Sequence, residues 1–153
     1  MKEINNYIVN LETLLLIPVS DKCTKVFEME EEFLVKKNIM QIIKDSCLFF
    51  GSSLEGRKEG TKSLLKCGIK VPIIIEDSNN LILFPTSSYK NDKNIWVVYN
   101  NLMDYKKYDL ENTLFLFKNN NDIKVNVKFN IVDNQVIRCL KLDTIIRKRK
   151  EIK

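Results

Sequence analysis

Apolar residues in the first 36 positions form short runs or alternate with polar residues, which is typical of β-strands. Residues 7–19 predict one strand, or two short strands interrupted near Asn10. Residues 22–30 alternate, and residues 33–36 resume the apolar pattern after an acidic step. Together these segments predict a small antiparallel meander.

Beyond Asn38 the apolar spacing changes to three and four residues, which indicates a helix. Asn38 suits its N-cap, and Gly51 suits its end. Ser52 followed by Glu55 fits a capping box and predicts a second helix that runs towards Lys66. The buried face predicted for the first helix consists of Ile39, Ile42, Ile43, Ser46, Cys47 and Phe50.

Two later pairs of apolar runs enclose the polar turns 77–80 and 119–122, which predicts two β-hairpins. The runs are 71–75 and 81–84 for the first hairpin, and 114–117 and 123–129 for the second. Residues 95–99 predict one more strand, whereas residues 102–110 fit neither a strand nor a helix clearly. Helical spacing returns from Asn130 onward. The sequence therefore predicts an α+β fold: antiparallel hairpins and a meander, with two central helices and a C-terminal helix.

The chain of 153 residues is long enough for one domain, and we expect residues 1–147 to form it and residues 148–153 to form a short basic tail. Its net charge of +5 fits a nucleic-acid partner as well as an ordinary domain. The chain has no histidine, and its four cysteines form no CxxC pair. We therefore expect no enzymatic activity, no metal and no cofactor.

No apolar stretch approaches the roughly 20 residues of a membrane span, and the apolar run 14–19 is too short for a signal peptide. We expect a cytoplasmic, nucleoid-associated protein with reduced thiols and no membrane partner. Residues 51–58 nearly match the phosphate-binding pattern GxxxxGK[ST], but Arg57 stands in the lysine position and a helix is predicted before the loop. This context argues against a nucleotide-binding loop.

The same stretch suits nucleic acid better, because hydroxyls, backbone N–H groups, Lys and Arg are the usual phosphate contacts. The candidates are Ser52, Ser53, Arg57, Lys58, Lys62, Arg147, Lys148 and Arg149. Two other interpretations stay open. Glu55 and Glu59 could pair with Lys58 and Lys62 on a solvated helix face, and Arg57 could be a partly buried structural arginine. The basic run at the C-terminus could be a solvated tail.

Residues 46–53, which read SCLFFGSS, and residues 56–61, which read GRKEGT, resemble the signature SCxFFGSSxxGRxxGT of the competence transcription factor ComK family. The resemblance continues at 72–73, 77–79, 84–88, Trp96 and 134–136, and it spans roughly residues 7–147. It implies that residues 1–147 form a ComK-like DNA-binding domain.

The resemblance further implies a sequence-specific activator of the genes for DNA uptake. Such proteins bind paired AT-rich promoter boxes, largely through the minor groove, as dimers or higher homo-oligomers that help RNA polymerase to engage the promoter. In that role Arg57 enters the groove, and Ser52, Ser53, Lys58 and Lys62 hold phosphates. The resemblance also implies a proteolytic adaptor as a further partner.

Family members with this pattern carry a longer segment after the position of Arg147 than this sequence, which stops at Lys153. An alternative function is therefore an interaction module that does not bind DNA, or a truncated paralogue that modulates a full-length activator through mixed oligomers. Loss of DNA affinity with retained self-association would favour this alternative.

Overall fold

The computed structural model describes residues 1–152 and contains a seven-stranded sheet, a three-stranded sheet and three α-helices. The seven-stranded sheet has the order β1-β4-β3-β2-β7-β6-β5, and its pairs are antiparallel except for β1 with β4. Its strands are β1 (Lys2–Ile4), β2 (Thr13–Ser20), β3 (Cys23–Glu28), β4 (Glu32–Val35), β5 (Ile73–Glu76), β6 (Leu81–Pro85) and β7 (Trp96–Val98). The α+β class predicted from the sequence is confirmed.

The second sheet and the helices cover the two faces of the first sheet. The second sheet is antiparallel and consists of β8 (Leu102–Lys107), β9 (Thr113–Phe117) and β10 (Asp122–Val125). The helices are α1 (Ile39–Phe49), α2 (Leu54–Leu65) and α3 (Phe129–Lys150). One hydrophobic core lies between the large sheet and α1, and the other lies between the large sheet, the second sheet and α3.

Strand β6 shows how the two cores share one sheet. Leu81 and Leu83 point into the core under α1, whereas Ile82 and Phe84 point into the core under α3. All four side chains are almost completely buried. Successive side chains of a strand point to opposite faces, so a continuous apolar run marks a strand that is covered on both sides.

Helix α2 crosses the edge of the large sheet at β5. Leu54, at its start, belongs to the core under α1, and Leu65, at its end, belongs to the core under α3. The helix therefore covers an edge strand that would otherwise expose unpaired backbone groups.

The register of the large sheet defines two ends of the molecule. Strands β2 and β6 both pair antiparallel with β7, where Trp96 lies beside Leu16 and Pro85, so β2 and β6 run in the same direction. The β5–β6 turn precedes β6 and the β2–β3 turn follows β2, and the two turns therefore lie at opposite ends of the sheet. We call the end with residues 77–80 the Asp77 end and the end with residues 21–22 the Asp21 end. Helix α1 begins at the Asp21 end, where the Asn38 amide donates to the Asp21 carbonyl at 2.9 Å.

Several local predictions are corrected in the first half of the chain. In residues 7–19 only the part from Thr13 is a strand, because the Asn10 side chain bonds the backbone of Ile8 and Glu12 and turns the chain there. The capping box predicted at Ser52 is wrong: Ser53 is the N-cap, its hydroxyl accepts from the Gly56 N–H at 3.0 Å, and Gly56 has no side chain to return a bond. The predicted N-cap Asn38 is confirmed.

Further differences lie towards the C-terminus. The strand predicted over 123–129 ends at Val125, and α3 already begins at Phe129. Residues 102–110, which the sequence left open, contain strand β8. Helix α3 continues through Lys150, so the basic residues 147–150 form its last turn instead of a separate tail. Positive side chains there complement the helix dipole.

Replacing Phe84 by Ala is expected to lower the free energy of unfolding by about 3–5 kcal/mol, because a fully buried aromatic side chain leaves a cavity. The control is Leu110→Ala in the β8–β9 connection, where the side chain is 76% exposed, and its effect is expected to stay within about 0.5 kcal/mol. Urea unfolding followed by Trp96 fluorescence measures both. Equal midpoints for the two variants would contradict the packing of β6 described here.

Candidate nucleic-acid interface

The α1–α2 connection is fixed by backbone hydrogen bonds. The Ser52 N–H donates to the Cys47 carbonyl at 3.0 Å, and Gly51 takes a φ of +86°, a conformation that favours glycine. A Cβ at Gly56 would lie 3.1 Å from the Ser53 Oγ and 3.5 Å from the Ser52 Oγ. The glycine therefore allows both hydroxyls to pack close to the first turn of α2. This requirement explains, in structural terms, one glycine of the signature in residues 46–61.

Arg57 lies between α2 and the β5–β6 turn. Its side chain is only 15% exposed, and its Nη1 donates to the Asp77 Oδ1 at 2.8 Å. The Arg57 Nε is buried and has no hydrogen-bond partner within residues 1–152. This geometry agrees with the partly buried arginine that the sequence left open as an alternative. It also leaves one strong donor unused.

The β5–β6 turn is held from inside by Glu76. Its carboxylate accepts from the backbone N–H groups of Ser78 and Asn79, at 2.7 Å and 3.1 Å. Burial alone would raise the pKa of Glu76, but the hydrogen bonds from Ser78 and Asn79 outweigh it and lower the pKa below its ordinary value. Asn80 closes the turn with a φ of +49°. The turn therefore presents a fixed backbone to its neighbours.

The last turn of α3 docks onto the same turn. Lys150 donates from its Nζ to the Asp77 carbonyl at 2.6 Å and to the Asn80 Oδ1 at 2.7 Å. The Asn80 amide donates to the Asp143 Oδ1 at 3.3 Å, and Asp143 also accepts from the Arg147 Nε at 3.1 Å. A cleft of about 400 Å³ lies here, lined by Ser78, Asn79, Asn80, Arg147, Lys150 and Glu151. Arg57, Arg147 and Lys150 thus gather around one turn.

Lys58 points towards a different part of the surface. Its Nζ lies 4.7 Å from the centre of the Tyr89 ring and 3.7 Å from the Glu55 Oε1. Tyr89 packs edge-on against Trp96 at 5.0 Å and donates from its hydroxyl to the Val71 carbonyl, and burial raises its pKa. Lys58 therefore also stabilises the 85–94 loop, and it is not part of the group around Asp77.

The remaining basic candidates are exposed. Lys62, Lys148 and Arg149 are exposed, and they form no ion pair with any residue in 1–152. The pair of Glu55 with Lys58, which the sequence left open, does form. These three free cations are the groups of the site that are available to an anionic partner without breaking an internal contact.

Three residues of this cluster escaped the sequence-based selection: Asp77, Asn80 and Lys150. The turn residues were recognisable only as a hairpin turn, because nothing local to them reports that α2 and α3 pack there. Lys150 stands in the basic run, so composition could have included it. Helix α1, and not a strand, leads into Gly51, which confirms the context that argued against a nucleotide-binding loop.

A family model described as ComK protein matches residues 4–151. The chain belongs to the ComK family. It is 33% identical over 149 residues to a protein of Bacillus subtilis (strain 168) named competence transcription factor, and the match covers 95% of this chain and 78% of that protein. No solved structure matched the chain significantly. Within residues 1–152, no helix of this ComK-family protein is both long and apolar enough to cross a membrane.

Cys47 of this ComK-family protein is expected to resist alkylation in the folded state. It lies on the buried face of α1, where burial raises the pKa of the thiol to about 11 against the opposing effect of the Arg57 charge, and burial also raises the pKa of Cys139. At pH 8 only about a thousandth of a thiol with that pKa is the reactive thiolate.

Iodoacetamide labelling of the folded protein, followed by peptide mass spectrometry, measures the alkylation rate of each of the four cysteines. The half-buried Cys23 and Cys67 are expected to react about tenfold or more faster than Cys47 and Cys139. Denaturation should abolish the difference. Equal labelling of all four thiols in the folded state would contradict the burial of α1 on the sheet.

Proposed function

We propose that this protein is a DNA-binding transcription activator of competence genes that binds AT-rich promoter boxes mainly through the minor groove, as a homo-oligomer in the cytoplasm. The observation that carries the proposal is the similarity to the Bacillus subtilis competence transcription factor along 95% of the chain. RNA polymerase and a proteolytic adaptor are further partners under this proposal. The geometry of the Asp77 end supports the proposed contact with DNA.

Helix α2 and the last turn of α3, which meet at the rigid β5–β6 turn, carry free positive charge. Lys62, Lys148 and Arg149 are available for phosphates, and Ser52 and Ser53 lie at the start of α2. Lysine, arginine and serine side chains at helix ends are usual phosphate contacts, which position a protein on a duplex. We propose that these five residues form the backbone contacts, with Arg147 beside them and Lys58 at the border.

Charge also limits how a duplex can approach. A second groove, on the β3–β4 side of the large sheet, is lined by Glu28, Glu30, Glu31, Glu32 and Asp122. These acidic side chains outnumber Lys124 in the groove and would repel phosphates, whereas α2 and the last turn of α3 carry the exposed, unpaired cations Lys62, Lys148 and Arg149. The duplex therefore lies along α2 and the end of α3 in our proposal, and not across the whole molecule.

Arg57 is proposed to enter the groove after it leaves Asp77. The partner carboxylate is 71% exposed, so water screens the ion pair from that side and the bond is weaker than that of a fully buried pair, although Arg57 itself is only 15% exposed. The unpaired buried Nε gains a partner when the side chain turns out, which offsets part of the lost packing. Narrow A·T minor grooves have an enhanced negative potential that attracts arginine.

Binding is tested by fluorescence anisotropy with two labelled duplexes, one with paired A/T boxes and one rich in G·C, at low and near-physiological salt. We expect a preference for the A/T duplex that survives the higher salt. Lys62→Ala and Lys148→Ala should weaken both duplexes alike and each reduce the salt slope by about 0.9. The control is Lys22→Ala at the Asp21 end, which should change neither the affinity for the two duplexes nor the salt slope.

Two results would contradict the proposal. Equal binding to both duplexes that collapses with salt would leave only general charge attraction. Absence of binding, with self-association retained in sedimentation, would favour the interaction module or the truncated paralogue.

Asp77→Asn tests the role of Arg57, because it weakens the bond that holds the guanidinium. We expect this variant to raise the preference for the A/T duplex about fivefold or more, since a side-chain contact with a base discriminates by about 1 kcal/mol at the lower end of its range. Glu59→Gln, an exposed residue on α2, is the matched control for the loss of one negative charge, and it should raise both affinities without changing their ratio. A reduced preference in Asp77→Asn would show that Arg57 acts by holding the turn.

A further inference from the structure

Two large apolar side chains stand exposed together at the end of α1. Leu48 is 63% exposed and Phe49 is 68% exposed, and they are neighbours in the last turn of the helix. A single exposed apolar residue needs no explanation, but an adjacent pair beside a candidate binding surface does. The core under α1 uses Ile39, Ile42, Ile43 and Cys47, so Leu48 points away from that core, whereas Phe49 lies beside the buried face, two turns after Ile42.

The end of α1 holds the backbone of the pair, and Phe50 supports the ring of Phe49. The Gly51 N–H donates to the Leu48 carbonyl at 3.0 Å, which fixes the end of the helix. The Phe49 ring stands edge-on against Phe50, with 5.1 Å between ring centres, and Phe50 packs on the core under α1. The aromatic ring of Phe49 is thus supported from behind by a ring that the core holds. A rigid side chain loses little entropy when it binds.

The position of the pair connects it with the candidate interface. Helix α1 begins at the Asp21 end, so its last turn lies towards the Asp77 end, where α2 begins. Lys44 is exposed one helical turn before Leu48, and Ser52 and Ser53 follow just after Phe49. Apolar side chains with phosphate-binding groups on both sides are the arrangement of minor-groove proteins that insert a wedge between base pairs.

We propose that Leu48 and Phe49 form an apolar wedge that inserts between base pairs from the minor groove and kinks the duplex. The proposal rests on the proposed DNA-binding function. It names the residues through which the protein would distinguish DNA sequences by how easily they bend. Pyrimidine–purine steps such as TA unstack readily, so a wedge favours A/T-rich sites without hydrogen bonds to base edges.

A second copy of the chain is a poorer occupant for this patch. Aromatic and large apolar side chains bury about 150–250 Å² each, so two partly exposed ones offer about 250 Å² in total. A stable dimer buries about 800 Å² on each partner. The neighbouring side chains of Lys44, Ser52 and Ser53 are polar or positive, which suits phosphates better than a like-charged copy.

The wedge is tested with Phe49→Ala and Leu48→Ala on the full chain. We expect Phe49→Ala to weaken binding to the A/T duplex about tenfold, the order that base–aromatic contacts contribute, and to reduce the bend measured by energy transfer between the duplex ends. The salt slope should not change, because no phosphate contact is lost. Leu110→Ala, another exposed leucine, is the control and should bind and bend the duplex normally.

Phe49→Trp gives a direct readout. The only natural tryptophan, Trp96, is fully buried, so a change in emission on binding reports residue 49. Quenching of this emission by the A/T duplex is expected if the ring stacks on bases.

Three outcomes would overturn the proposal. Phe49→Ala could bind and bend the duplex like the unaltered protein, which would leave the pair without a role in DNA. Phe49→Ala could change the sedimentation of the DNA-free protein, which would assign the patch to contacts between copies. Absence of DNA binding by the unaltered protein would refute the proposed function and the wedge together, whereas normal binding with an inert Phe49 would refute the wedge alone.

Discussion

The structure depends on one constraint: the central strands of the large sheet are buried on both faces. Leu83 and Phe84, neighbours in β6, serve two different cores, and Trp96 and Val97 do the same in β7. Burial of apolar surface is the main favourable term in folding, so α1 on one face and the second sheet with α3 on the other are required to complete it. The sheet edge at β5 then needs a cover, and α2 supplies it by passing from one layer to the other.

That arrangement also builds the candidate interface. Because α1 and α3 lie on opposite faces and both end towards the Asp77 end, the start of α2 is brought beside the last turn of α3. The β5–β6 turn is the meeting point, where Asp77 binds Arg57 through its carboxylate and Lys150 through its carbonyl. Residues separated by about ninety positions, Arg57 and Lys150, thus meet at one turn as a consequence of core packing.

The sequence predicted most elements because their signals are local. Asn38 and Gly51 delimit α1 through caps, and the two polar turns delimit two hairpins. Predictions failed where a distant contact decides the structure. The N–H of Val9 bonds the Ser46 Oγ at 2.9 Å, so residues 7–12 follow α1 and do not pair as a strand. The site shows the same limit: basic and hydroxyl residues are visible in the motif, but the bond from Arg57 to Asp77 joins two elements whose contact no local pattern reports.

The balance of charge at the Asp77 end argues for recognition by shape. Arg57, Arg147 and Lys150 each bind an acidic or carbonyl oxygen of the protein itself, which leaves Lys62, Lys148 and Arg149 as free cations near the site. In our proposal these three free cations contribute a salt slope of only about 3, well below that of proteins with many cationic contacts. We therefore expect general attraction to DNA to be weak for a single copy. In our proposal, selectivity must come from contacts that read the shape of the duplex, such as those of Phe49 and a released Arg57. Affinity must come from several copies bound together, because linked binding sites reach a higher overall affinity than either site alone.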